Sequence, residues 1–298
     1  MITLLLATLL ALSPASTAPT TTAPTTTTTT RTTTARTPYF HKPAAAQATT
    51  TAPTRIVSLS PMVTETLFAL GAGARVVGVT RYCDKPAAAT TLPKVGGYTD
   101  VSLEAVLAKK PDLVIAQYAQ GQWPVLDRLR DRGIAVFIVF NDTFADSLAA
   151  IEGLGVVVGA TAPAATIVSR QRAALLAAAG SSPAQRVVVV VGTQPLVVAG
   201  ANSFGDTAVR ATGAVSVIAS DDPAWPVWSL ETLLARRVDV VVLADGAGSR
   251  AAFTTFVAAL GARAPRVVAS DHPILMRAGP TFADDVDTLA TLLATASR

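Results

Sequence analysis

The stretch VSLEAVLAKKPDLVIA, Val101 to Ala116, has a counterpart at Trp228 to Leu243, WSLETLLARRVDVVVL. With Ser102-Leu103-Glu104 aligned on Ser229-Leu230-Glu231, seven of thirteen positions are identical and two more exchange Lys for Arg, 127 residues apart. Each copy reads as a short helix followed by a buried strand. A helix–strand unit that occurs twice in one chain implies two lobes of related topology, each carrying its helix at a comparable surface position.

The sequence around the two copies supports this. Short apolar runs (RIVSLS, RVVGVT, DLVIAQ, AVFIVF) alternate with helical patterns up to about residue 142, and a second series runs through QRVVVVVG, VDVVVLAD and PRVVASD. This alternation predicts an α/β fold with parallel sheets. SPMVTETLFALG reads as a helix with Ser60 at the N-cap, Pro61 in the first turn and Gly71 as its left-handed stop. Between the series, the Val156–Val158 run argues locally against helix, whereas Pro163 to Ala179 is Ala-rich and ends at Gly180. One helix there would span about 25 Å and resist wide hinge closure. The expected organisation is a signal-like segment at 1–16, a spacer at 17–54, one lobe at 55–142, a linking helical segment at 143–180 and a second lobe at 181–298.

The N-terminal region differs in composition. Ile2 to Leu12 is an apolar run of secretory-signal length without the usual basic flank, an atypical signal too short to span a bilayer. The Thr/Ala/Pro tract that follows has little to bury and is expected to be an extended, disordered spacer. It also carries Arg31, Arg36 and Lys42 and no acid, which leaves 21 basic against 20 acidic residues for the body. A near-neutral body without a basic run argues against nucleic acid as a partner. Cys83 is the only cysteine, and the two histidines are His41 and His272, so neither an intrachain disulfide nor a site built from several imidazoles is expected. No metal site and no cofactor are assigned.

In open parallel sheets, ligands gather beyond the carboxyl ends of the strands. Those positions hold Arg81-Tyr82-Cys83-Asp84, Gln117-Tyr118, Tyr98, Trp123, Trp225, Trp228 and Asp271-His272 through Arg277. All three Trp and three of the four Tyr fall there, which favours a binding cleft for a large ligand with a flat or apolar face. A catalytic reading finds no support: there is no Gly-x-Ser-x-Gly elbow, no dinucleotide fingerprint and no Walker lysine.

The segments SP-x-x-TE-x-LFALG, GVTRYCD-x-P, LPKVGG and SLEAVLAKKPDLV occur in an order and spacing that resemble the N-terminal lobe of helical-backbone periplasmic solute-binding proteins. These serve ATP-driven (ABC) importers of cobalamin, ferric siderophores and haem. YCDKP and AWPVWSLE are most similar to the cobalamin-binding branch. The resemblance covers about residues 55–298. It implies two Rossmann-like lobes joined by one long helix, a shallow interlobe cleft and a monomeric, periplasmic or otherwise extracytoplasmic carrier that meets the membrane only through a permease. By position it assigns Tyr82, Tyr98 and Trp225 as cleft aromatics. Gln117 and His272 stand where the family has further aromatics, and Arg277 occupies a basic or polar cleft position that could meet an anionic substituent. Glu104 and Glu231 match the carboxylates that dock into Arg pockets of the permease. The implied ligand is a corrinoid, with a siderophore, haem, or an enzyme or sensor reusing the scaffold as alternatives.

Overall fold

Buried strands alternate with helices through both halves of the body in the computed structural model, which describes residues 36–40, 52–118 and 123–296. The signal-like segment and most of the Thr-rich tract lie outside the described residues. In the first lobe, β1 (Tyr39–Phe40), β2 (Ile56–Ser58), β3 (Val76–Val79), β4 (Leu113–Gln117) and β5 (Ala135–Val139) form one sheet in the order β1-β5-β4-β2-β3. β2 to β5 are parallel, and Ile115 sits opposite both Ser58 and Phe137. In the second lobe, β6 (Arg186–Thr193), β7 (Leu196–Val198), β8 (Val215–Ser216), β9 (Val240–Leu243) and β10 (Arg266–Ala269) form another. There β8, β9 and β10 run parallel to the β6 direction, and β7 is antiparallel to β6.

The strands read as unbroken apolar runs because helices cover both faces of each sheet. Along β4, Leu113 and Ile115 join one core while Val114 and Ala116 join the other. Along β6, Val187 and Val189 face one core and Val188 and Val190 the opposite one.

The helices are α1 (Pro61–Ala69), α2 (Ala87–Thr90), α3 (Leu103–Ala108), α4 (Trp123–Arg130), α5 (Phe144–Val158), α6 (Thr161–Ala177), α7 (Phe204–Ala211), α8 (Leu230–Ala235), α9 (Arg250–Ala258) and α10 (Phe282–Ala296). Both lobes share one topology. The first strand (β2 or β6) is flanked on one side by the next parallel strand (β3 or β8), and on the other by the strand that follows the repeated helix (β4 or β9). The strand order therefore reverses between β2 and β4, and again between β6 and β9, and it is at such reversals that open sheets leave a crevice for ligands.

The duplicated sequence has a structural counterpart in a lock at the base of each lobe. Arg55 Nη2 donates to Lys109 O at 2.6 Å and Nε to Lys110 O at 3.0 Å. Arg186 makes the equivalent bonds to Arg236 O at 2.7 Å and Arg237 O at 2.8 Å. Each guanidinium thus satisfies carbonyls left orphaned at the C-terminus of α3 or α8. The backbone N–H of each Arg is in turn held by the Asp that opens the next strand, Asp112 or Asp239.

Three sequence expectations change. Arg36 to Phe40, assigned to the spacer, pack on the body: β1 pairs antiparallel with β5, Tyr39 opposite Ile138 and Phe40 opposite Phe137. The sheet edge supplies backbone partners that a composition argument cannot see. Ser60 occupies the N-cap of α1 but makes no side-chain cap bond; its hydroxyl turns to Gln117 instead. The Val156–Val158 run, which argued against helix, is the last turn of α5, closed by Gly159 at φ +74°. α5 packs with the first lobe, and α6, close to the expected 163–179 span, is the helix that reaches α10 of the second. Phe144 lies between the two cores and meets Phe282 at 5.1 Å.

Candidate functional site

The crevices of the two lobes face each other across a cavity of about 750 Å³. The first lobe contributes Ser60 and Met62 at the start of α1, Arg81, Tyr82 and Asp84 after β3, Tyr98, Gln117 at the end of β4, and Asn141 and Asp142 after β5. The second contributes Val191, Val197, Phe204, Trp225, Met276 and Arg277. Ser60 Oγ donates to Gln117 Oε1 at 2.9 Å, joining the carboxyl ends of β2 and β4 where the strand order reverses.

Among the described residues, two polar links cross the cavity from lobe to lobe. Trp225 Nε1 donates to Asp142 Oδ1 at 3.4 Å, while its ring packs on Phe204 at 5.2 Å. Arg277 Nη1 donates to Glu65 Oε1 at 2.6 Å and to Asp84 Oδ1 at 2.9 Å. Burial would push Asp84 up, but the Arg277 hydrogen bond and charge outweigh it and hold Asp84 below the usual carboxylate range. Glu65 is 4% exposed, and burial raises its pKa against the pull of Arg277. Its second oxygen has no protein hydrogen-bond partner. Arg277, expected to meet an anionic substituent, is thus already held between two carboxyl groups.

Tyr82 is 52% exposed at the rim, with Arg81 over its ring at 5.1 Å. Tyr98 is half-buried, and burial together with the Asp142 charge raises its phenol pKa. Of the expected ligand-binding residues, Tyr82, Tyr98, Gln117, Trp225 and Arg277 line the cavity. His272 does not: it is exposed after β10, its Nδ1 3.3 Å from Ser270 Oγ, and Met276 on the same loop reaches the cavity in its place. Tyr118 and Trp123 meet edge to face at 5.4 Å outside the cavity lining, and Trp228 is core, 8% exposed beneath Arg236. Cys83 is buried against the hydroxyls of Thr64 and Thr80. Sequence reasoning missed Glu65 and Asp142. The available signal for Glu65 was a single carboxylate on the apolar helix PMVTETLFA; Asp142, in a loop, had none.

The periplasmic binding protein family matches residues 56–260. The chain belongs to this family. A vitamin B12-binding protein of Salmonella choleraesuis (strain SC-B67) is 31% identical to this binding protein over 197 residues, 65% of this chain and 73% of the relative. Among solved structures, a periplasmic heme-binding protein from Roseiflexus sp. RS-1 in its apo form superimposes with a TM-score of 0.71 at 25% identity, over 82% of this chain and 99% of that one. The periplasmic vitamin B12-binding protein of Vibrio cholerae does so with a TM-score of 0.66 at 24% identity, over 83% and 98%, a likeness of fold. The two-lobed α/β architecture is shared, and the relatives are binding proteins rather than enzymes.

Proposed function

We propose that this binding protein captures a metal chelate without net negative charge, a corrinoid, in the interlobe cleft outside the cytoplasm and delivers it to the permease of an ABC importer as a monomer. The supporting observation is the charge balance of the cleft. Among the described residues, both cations of its lining are taken, Arg81 by Asp100 and Arg277 by Glu65 and Asp84, and Arg36 behind the wall is taken by Asp142 and Asp146. Among the described residues, three guanidinium groups and Lys85, whose charge reaches Glu65 and Asp84 from outside the lining, face five carboxyl groups. Haem, with two propionates, or an anionic ferric siderophore would have to displace a carboxylate to gain a countercharge, at the cost of an uncompensated acid. A corrin ring fringed with amides needs hydrogen-bond partners and flat apolar contact, which Ser60, Gln117 and Asn141 beside Tyr82, Tyr98 and Trp225 supply.

Delivery rests on Glu104 and Glu231. Both are exposed in the first turn of their helices, behind Ser102 and Ser229, which accept from Ala105 N and Thr232 N at 3.2 Å. Ser229 holds the Glu231 carboxyl below its ordinary pKa. Equivalent placement on two lobes of one topology gives a permease two charge contacts that fix register. A haem reading draws on Tyr82, whose rim-exposed phenol is a hard oxygen ligand for ferric iron. The test is uptake: cells lacking this protein should lose growth on limiting cobalamin and keep growth on haem iron, and the reverse pattern would favour haem.

A further inference from the structure

Arg36 lies upstream of the first parallel strand, yet it reaches the cleft wall. Its backbone N and Nε donate to Asp146 Oδ1 at 2.8 and 3.2 Å. Its Nη2 donates at 2.6 Å to both Asp146 Oδ2 and Asp142 Oδ2. The guanidinium carbon lies over the Phe140 ring, 4.3 Å from its centroid, and Tyr39–Phe40, three residues on, are stitched to β5. The two carboxylates it bridges have different duties. Asp146 is 1% exposed and forms the capping box that starts α5 with Thr143. Asp142 lines the cleft, and its free oxygen Oδ1 receives the indole N–H of Trp225 from the other lobe.

A continuous chain therefore runs from Arg36 through Asp142 to Trp225. The fork of Nε and Nη2 grips Asp146 and fixes the guanidinium plane. From that fixed plane Nη2 also holds Oδ2 of Asp142, which leaves Oδ1 turned to Trp225. The same contact sets the charge that the wall shows to a ligand. With Arg36 in place, one cation is shared between two acids; without it, Asp142 faces the cavity as a bare anion.

We infer that Arg36 is a positioning residue of the ligand cleft, seating Trp225 through Asp142 and masking the Asp142 charge, so that residues 36–40 help set the preference for uncharged over cationic chelates. This rests on the corrinoid reading, and the test separates the two. Cyanocobalamin is neutral, and aquacobalamin at pH 6 keeps the same corrin ring and side chains but carries water in place of cyanide and so one positive charge. Calorimetry with the full chain would compare wild type, Arg36→Met, Asp142→Asn and the double variant.

Arg36→Met should weaken cyanocobalamin about tenfold as Trp225 loses its seat, while aquacobalamin weakens less, shifting the ratio about threefold toward the cation. Asp142→Asn keeps an acceptor for the indole and should shift the ratio the other way. In its background, Arg36→Met should leave the ratio unchanged. Equal losses for both ligands in Arg36→Met, or no loss for either, would overturn the inference. If wild type binds neither corrinoid, the ligand reading fails and the ligand-free protein decides on Arg36. The Trp225 indole N–H resonance should then move in Arg36→Met and hold in Arg36→Lys to a larger extent; an unmoved resonance in Arg36→Met would overturn the inference. Thr143→Ala serves as a folding control, because it removes the side-chain half of the capping box and leaves both carboxylates that hold Arg36 in place.

Discussion

Arg277 of the second lobe and Glu65 of the first share a 2.6 Å ion pair at the base of the cleft, 212 residues apart in sequence, with Glu65 almost wholly buried. The pair joins the loop after β10 to α1 and, with Asp142–Trp225, sets the lobe spacing from two sides. Such a contact is costly to break by halves, because the remaining charge stays buried. Arg277→Met should therefore destabilise the protein by about 3–5 kcal/mol, and adding Glu65→Leu should restore most of that. Urea unfolding of the two variants checks this; equal destabilisation by single and double changes would contradict it.

Tyr82 can be separated from folding because it is half-exposed at the rim. Tyr82→Ala should lower corrinoid affinity about tenfold while leaving stability within about 0.5 kcal/mol of wild type. Calorimetry and thermal melting on one preparation give both quantities.

Charge reversal at Glu104 and Glu231 should divide binding from delivery. Both side chains are exposed and absent from the cavity lining. The Glu104→Arg/Glu231→Arg double variant should bind cobalamin as wild type does and fail in uptake, each single change losing part of it. Normal uptake by the double variant would remove the docking assignment.

Asp285, near the start of α10, is pushed up to about 6, first by burial and against the hydrogen bond from Leu275 N. Its folded-state pKa lies above the unfolded value, so the native state holds the proton more tightly. The stability this gives is full below about pH 4 and is lost as pH rises through about 6. Asp285→Asn should flatten that part of the profile and make the protein more stable than wild type at pH 8. Parallel unfolding curves for the two proteins across pH 4–8 would show otherwise.

The lobes were legible in the sequence because strands buried on both faces must be apolar throughout, and because the repeated helix–strand unit marks the same crossover twice. The base locks were half-written in it, as Arg before β2 and β6 and Asp before β4 and β9. The cleft was legible only as a set of strand ends. Tyr82, Tyr98, Gln117 and Trp225 follow from that rule, whereas His272 obeys it and still misses the cavity, since the turn to Ile274 directs Met276 and Arg277 inward. Glu65, Asp142 and Arg36 were not legible. Their partners lie 83 to 212 residues away, and no local period records a contact of that range. The spacer composition concealed Arg36 further, because Thr and Pro tracts predict nothing for the sheet edge to hold.

The central claim is that the cleft takes a chelate without net negative charge. Calorimetric titration of the full chain with cyanocobalamin and haem, followed by mass analysis of the recovered ligand, tests it most directly. The account predicts one-to-one cyanocobalamin binding at least a hundredfold tighter than haem, with the corrinoid returned unaltered. Tighter binding of haem, or a chemically changed corrinoid, would contradict it.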